Sequence, residues 1–348
     1  MGIMKPVLIS GIQPTGRLHI GNYLGALKNF VDLQNSGEYD CYFFIADLHA
    51  LTENPDPKEL NKNIVNLAAD FLAIGLDPDK STIFQQSQIR LVEELKWILS
   101  PLVPVSELMR MTAFKEKITQ KLNPKEGQKI TQEEFDKVVE ESNMGLAEYP
   151  VLMAADILIH DCKFVPVGND QLQHLELARA IARKFNKKFG KTFIEPQPLL
   201  TKTPRVMSLR DPEKKMSKSQ PESCLFIDDS PEEIKTKIAR ATTDSGSEIS
   251  YDTKKKPGLS NLLEIYSALS DKEPKAVAKE FVGKNYSDFK KALAELVANY
   301  FADFREKKKS LIANPKSLAA TLKAGSEKAA KVAEKKMVEV KQKVGLTI

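Results

Sequence analysis

With 348 residues, 42% hydrophobic and 28% charged, the chain has the balance of a soluble globular protein, long enough for two cores. No apolar run approaches the roughly 18 residues of a membrane span, and the N-terminal stretch has the form of neither a signal nor a transit segment, so a cytoplasmic protein is expected. The net charge of +5 is uneven: residues 301–348 carry 12 Lys and Arg against 5 Asp and Glu, which suits either a polyanionic partner or the solvated face of a Lys-rich helix.

In chain order, residues 7–10 read as a buried strand ending at Gly11, followed by a helix from about Gly21 with Leu24, Leu27 and Val31 on one face. Residues 41–46 and 82–85 are further apolar strands, separated by a helical pattern over 61–74 and followed by a helix through Trp97. The stretch 118–144 breaks this rhythm; it is charged and reads as a surface excursion with one helix near 133–141. A helix over 151–160, a strand over 164–167 and a helix over 170–185 resume it. Strands alternating with helices imply an α/β fold with a doubly wound, Rossmann-like parallel sheet, whose ligands sit beyond the carboxyl ends of the strands. Beyond about residue 204 the pattern turns amphipathic-helical: 231–241, 259–270, 275–282, 286–312 and a long last helix from about Pro315. The expected organisation is a nucleotide-binding catalytic domain over 1–210 and an all-helical domain over 211–348, whose last helix could instead fold back on the first.

Cys41, Cys162 and Cys224 stand too far apart for a disulfide framework or a zinc site, and four scattered histidines suggest no metal cluster. Gly190-Lys191-Thr192 resembles the end of a phosphate loop but lacks its upstream glycine, the position being Phe185.

Two segments carry chemistry. Residues 11–22, Gly-Ile-Gln-Pro-Thr-Gly-Arg-Leu-His-Ile-Gly-Asn, join the first strand to the first helix. Glycines allow close backbone approach, while Gln13, Thr15, His19 and Asn22 put polar groups at a helix N-terminus, where the dipole favours phosphate. Lys215-Met216-Ser217-Lys218-Ser219 lies in a loop, with two ammonium groups placed to neutralise a leaving pyrophosphate. Either one alone could be an ordinary turn or a solvated loop. Together, in this order and at a domain junction, they resemble the signature pair of class I aminoacyl-tRNA synthetases.

The likeness extends to Tyr149-Pro150-Val151-Leu152-Met153-Ala154-Ala155-Asp156, to Val165-Pro166-Val167-Gly168-Asn169-Asp170-Gln171 and to Thr243-Asp244-Ser245. Over essentially the whole chain it is similar to the bacterial tryptophanyl-tRNA synthetase family, except that the 118–144 stretch is longer than usual. The resemblance implies a homodimer that joins L-tryptophan to ATP with Mg²⁺, releases pyrophosphate, and transfers the tryptophanyl group to the 2′-hydroxyl at the 3′ end of tRNA(Trp). It implies His19, Lys215 and Lys218 as catalytic groups. ATP contacts carry over to Gln13, Pro14, Thr15, Gly21, Asn22, Gly168, Asn169, Asp170 and Val206, and to Met216, Ser217 and Ser219 of the lysine loop.

Asp156 points the same way by itself. It is the one acid in an otherwise apolar run, and a buried carboxylate needs a partner. That partner could be Arg110 or Arg179 in a purely structural role; under the resemblance it is the indole N–H of tryptophan. Tyr149, Met153, Ile157, Val165, Val167 and Gln171 then complete the pocket, with Gln171 and the Tyr149 hydroxyl on the substrate's ammonium group and His49 as a further candidate. The substrate's own carboxylate is the nucleophile, so no general base is called for. The nearest rivals are a tyrosine-specific enzyme of the same class and a non-catalytic tRNA-binding relative. Apolar Met153 and Ile157 beside a single acid argue against the first, and the intact His19, Lys215 and Lys218 against the second.

Overall fold

The computed structural model describes residues 5–122, 124, 130–168, 171–200 and 205–347. Among these, β1 (Val7–Ile12), β2 (Asp40–Ile45), β3 (Ser81–Gln85), β4 (Phe164–Val167) and β5 (Gln197–Leu200) form a parallel sheet in the order β3-β2-β1-β4-β5. Side chains alternate between its faces as the strand period requires. Leu8, Cys41, Phe43 and Ile45 enter one apolar cluster; Ile9, Tyr42 and Phe44 enter the other. The strand order reverses between β1 and β4, which places a ligand crevice at their carboxyl ends. β5 has no counterpart in the sequence reading, because Pro196 and Pro198 argue against a strand. It survives as an edge strand, where a missing ladder donor is tolerated.

From β1 the chain passes through the glycine turn into α1 (Ile20–Asn22), a π turn (Tyr23–Leu27) and α2 (Lys28–Ser36), which follow one another without a break. The short α3 (Asp47–Ala50) follows β2, and α4 (Pro57–Ala73) is capped by Asp56, which accepts from the amides of Lys58 and Glu59. After β3 come α5 (Leu91–Leu99), α6 (Val105–Met109), α7 (Thr112–Leu122), α8 (Gln132–Glu140) and α9 (Met144–Leu158). The 118–144 stretch is therefore more than a surface excursion: it begins inside α7, whose Phe114 and Ile118 are buried in the second cluster. α9 starts earlier than expected, at the Asn143 cap, and continues through Pro150. α10 (Leu172–Phe189) links β4 to β5.

The C-terminal helices are α11 (Pro231–Ala239), α12 (Pro257–Ser270), α13 (Pro274–Glu280), α14 (Tyr286–Tyr300), α15 (Ala302–Ala313) and α16 (Pro315–Val344). They share a core with the sheet: the first cluster runs from Leu8 and Phe43 through Val206, Met216 and Leu225 to Leu262 and Phe289. The single helix expected over 286–312 breaks at Phe301, which is buried with its ring 5.0 Å from those of Tyr23 and Tyr300. α16 turns back along β3. A Cβ on Gly325 would lie 1.8 Å from the Ile83 carbonyl oxygen, so only glycine permits this approach. Its Lys336 pairs with Asp161 (2.8 Å) and Glu339 (2.9 Å), and its Lys341 with Glu94 (2.7 Å). Part of the basic excess of the C-terminus thus fastens this helix to the α/β layer.

Candidate active site

A cavity of about 500 Å³ opens at the switch point, a size suited to a small-molecule ligand. Gly11 and Gln13 line it from the first turn, His49 from α3, and Val165, Val167, Gly168 and Gln171 from the β4 end. From α9 come Tyr149, Met153, Asp156 and Ile157. Their spacing of four, three and one puts them on one helical face.

Asp156 is 3% exposed. Gln86 Nε2 donates to both of its oxygens, at 2.9 and 2.8 Å, and His49 Nε2 lies 3.0 Å from Oδ2. The arginine partners considered above do not fill this role; Arg179 pairs with Glu176 at 2.6 Å. A carboxylate offers about four acceptor sites, so Asp156 keeps capacity for one more donor on its cavity side. Gln86 is itself fixed, since its Oε1 accepts from the Leu48 amide (3.1 Å). The adjoining Asp47 is buried and accepts from Gln85 (2.6 Å), Ser87 Oγ (2.5 Å) and the Ser87 amide (3.0 Å), which latches the β3 end to α3 and so sets His49. The Tyr149 hydroxyl lies 2.9 Å from His174 Nε2, and burial, with Glu116 nearby, pushes its pKa up to about 12, so it stays protonated.

Sequence reasoning missed Gln86 and His174. Gln86 had a signal: Gln85-Gln86-Ser87-Gln88 is a polar run at the carboxyl end of a buried parallel strand, the ligand side of such a sheet. His174 had a weaker one, standing one helical turn after Gln171. The cavity mouth also belongs to α7: Glu116, Lys117 and Gln120 line it, and Lys117 pairs with Glu53 across it at 2.6 Å.

The second half of the site lies over the first turn. His19 caps α1: its Nδ1 accepts from the Asn22 amide and Asn22 Oδ1 accepts from the His19 amide, both at 3.2 Å. With Nδ1 accepting, the proton of the neutral ring sits on Nε2. Burial, together with Lys218 and Lys215, lowers the pKa of His19 to about 4, so it is neutral at physiological pH. Gly21 makes room for this ring, since a Cβ there would come within 2.9 Å of it and 3.5 Å from Val206. Val206 is buried beneath the lysine loop, and its carbonyl accepts from the Met216 amide (3.2 Å).

Across the cleft, Lys218 Nζ donates to Thr15 Oγ1 (3.1 Å) and faces the Thr15 and Gly16 carbonyls at 3.4 Å. Burial lowers its pKa, opposed by the Asp70 carboxylate. Lys215 is exposed, and the Ser217 and Ser219 hydroxyls lie 2.9 Å apart. The two motifs, some two hundred residues apart in sequence, therefore touch. Pro14 is buried behind the turn, while Asn169 and Asp170 lie outside the described residues.

A profile for class I tRNA synthetases for tryptophan and tyrosine matches residues 4–302. The chain is 45% identical over 348 residues to the tryptophan–tRNA ligase of Caldanaerobacter subterraneus, with 99% of each chain covered. The fold is similar to tryptophanyl-tRNA synthetase from Mycoplasma pneumoniae (TM-score 0.83, 33% identity, 99% of each chain). It is also similar to that of Campylobacter jejuni, complexed with ADP and tryptophan (TM-score 0.79, 36% identity, 97% of this chain and 99% of that one).

Proposed function

The chain belongs to the class I tRNA synthetases for tryptophan and tyrosine, on their bacterial tryptophan branch, and from that premise we propose how its cavity performs the reaction. The enzyme activates L-tryptophan with ATP to tryptophanyl-adenylate and pyrophosphate, then transfers the tryptophanyl group to the 3′-terminal ribose of tRNA(Trp).

The indole lies between Met153, Ile157, Val165 and Val167, and its N–H donates to Asp156. Gln171 and the Tyr149 hydroxyl take the ammonium group. The observation that carries this reading is Asp156 itself: a buried carboxylate, aimed by Gln86 and His49, in the same cavity as the apolar Met153, Ile157, Val165 and Val167. A pocket built to accept a hydrogen bond rejects an analogue lacking the donor by roughly 10⁴–10⁵, because the acceptor is left buried and unpaired.

The tryptophan carboxylate is ionised at neutral pH and attacks the α-phosphorus of ATP; the new O–P bond forms as the bond to the β-phosphate oxygen breaks. The chain supplies alignment and charge. The adenine rests on Val206, and the phosphates lie over the turn from Gln13 to Asn22. His19 Nε2–H, Lys215 and Lys218 face the departing pyrophosphate. In the second step a ribose hydroxyl attacks the acyl carbonyl and AMP leaves. Mg²⁺ would come with ATP, held chiefly by its phosphates, and would add positive charge beside Lys215 and Lys218 there.

The enzyme acts as a homodimer. Supporting this, Trp97 of α5, Val105 of α6 and Met144 of α9 are 70–75% exposed on helices that pack together, apolar side chains that a partner subunit would cover. The anticodon end of tRNA(Trp) lies on the C-terminal helices, held by phosphate contacts from their exposed lysines. A tRNA-charging enzyme works where its tRNA is, in the cytoplasm. ATP–pyrophosphate exchange with tryptophan and tyrosine supplied separately tests the central reading: exchange with tryptophan alone is expected, and comparable exchange with tyrosine would overturn it.

A further inference from the structure

A chain of charges outside the pocket runs from α4 to the first turn. Asp70 of α4 is 1% exposed and lies 2.7 Å from Lys308 Nζ of α15. Lys308, itself buried, also donates to Asp228 Oδ2 at 2.9 Å. Asp228 Oδ1 accepts from Arg17 Nε at 2.9 Å, and the same guanidinium reaches Asp229 Oδ1 at 2.9 Å while lying 4.2 Å over the Phe226 ring. Arg17 is the residue between Gly16, whose carbonyl faces Lys218, and Leu18, whose carbonyl accepts from the Ile227 amide (3.0 Å). The Ile20 amide donates to the Leu225 carbonyl (2.9 Å), so the backbone bearing His19 is laced to residues 225–227 on both sides. A second strut ends close by: the Tyr23 hydroxyl lies 2.6 Å from that of Tyr300, at the α14–α15 elbow.

Lys308 stands between two carboxylates; burial works against its charge, but the two acids more than offset this and raise its pKa. Burial pushes the pKa of Asp70 up to about 6, against the opposing charges of Lys308 and, more weakly, Lys218. A buried pair of this kind is a poor source of stability, because desolvation cancels most of the attraction. What it supplies is fixed geometry between elements distant in sequence.

We propose that Lys308 is a positioning residue for the ATP step: from the C-terminal helices it holds, through Asp228 and Arg17, the turn that carries His19. The inference rests on reading residues 11–22 as the ATP turn. Through it the α14–α15 elbow and the nucleotide site keep one register, and a shift of α15 is felt at the phosphates.

The test compares Lys308→Met, the double variant Asp70→Asn with Lys308→Met, and His19→Asn, by ATP–pyrophosphate exchange with melting temperature in parallel. Lys308→Met is expected to raise the KM for ATP by about fivefold to twentyfold, the lower part of the range of a typical coupling between sites, while the KM for tryptophan changes less than about twofold. The double variant removes the carboxylate that Lys308 would leave stranded, so it recovers melting temperature but keeps the raised ATP KM. If the double variant recovers both, the network is structural only and the proposal falls. It falls equally if ATP KM is unchanged in Lys308→Met while His19→Asn abolishes exchange. Unimpaired exchange in His19→Asn would instead bring down the assignment of the ATP turn on which the inference stands.

Discussion

The two halves of the active site are built on opposite principles. On the side proposed for tryptophan the polar groups are already paired: the buried Asp156 with Gln86 and His49, and the half-buried Tyr149 with His174. On the nucleotide side cations crowd one another, Lys215 and Lys218 both disfavouring a charge on His19, and Lys218 rests on the hydroxyl and carbonyls of the opposite turn. The first half is complete before substrate arrives and can discriminate shape and one hydrogen bond. The second, on the function proposed, becomes electrostatically complete only when a polyphosphate enters, where charge would move during the reaction.

Several changes can break or sharpen this contrast. The largest effect is expected from Lys218→Ala, which should lower the exchange kcat by about 10²–10³ with the tryptophan KM within about twofold, as for loss of one transition-state donor. An unchanged exchange rate would end the idea that the lysine loop serves the leaving group. Next, Asp156→Asn should cut kcat/KM for tryptophan by about 10–150-fold, the cost of a charged hydrogen bond, and should narrow the preference for tryptophan over its benzothiophene analogue, which has no N–H. Retained discrimination would move the indole contact elsewhere. Gln86→Met, which leaves Asp156 with His49 alone, is expected to raise the tryptophan KM about tenfold without altering the ATP KM; a shift in ATP KM instead would show that the halves are not separate. The smallest effect concerns pH. With its pKa lowered to about 4, His19 stays neutral from pH 5 to pH 8 and contributes no inflection to the exchange profile there. An inflection near the unperturbed value of about 6.5 that vanished in His19→Asn would contradict this.

Much of this was legible in the sequence because it depends on short spacings. Strand alternation, the glycine turn and the paired lysines each span about a dozen residues or fewer, as do the four residues on one face of α9. What escaped had a tertiary cause. β5 exists because an edge position tolerates Pro198, and the 286–312 helix breaks because Phe301 is drawn into a ring cluster with Tyr23. α7 has weak amphipathicity, and its covering role follows from where α9 and β2 place the pocket. The lone-acid argument found Asp156, but not its partners, because Gln86 and His49 reach it from other strand ends.

Sequence alone therefore determined the parallel sheet and, through the family likeness of its motifs, the reaction class, and it singled out Asp156 as the acid proposed to set specificity. The sheet follows from residue types at fixed local intervals, where backbone geometry leaves few choices, and the motifs that carry the family likeness are each short and local. Tertiary structure decided which groups meet: Lys218 with Thr15, Gln86 with Asp156, Lys308 with Asp70 and Asp228, and α16 with β3. These contacts join residues from tens to more than two hundred positions apart, and their distances are set by how apolar faces pack rather than by any local pattern.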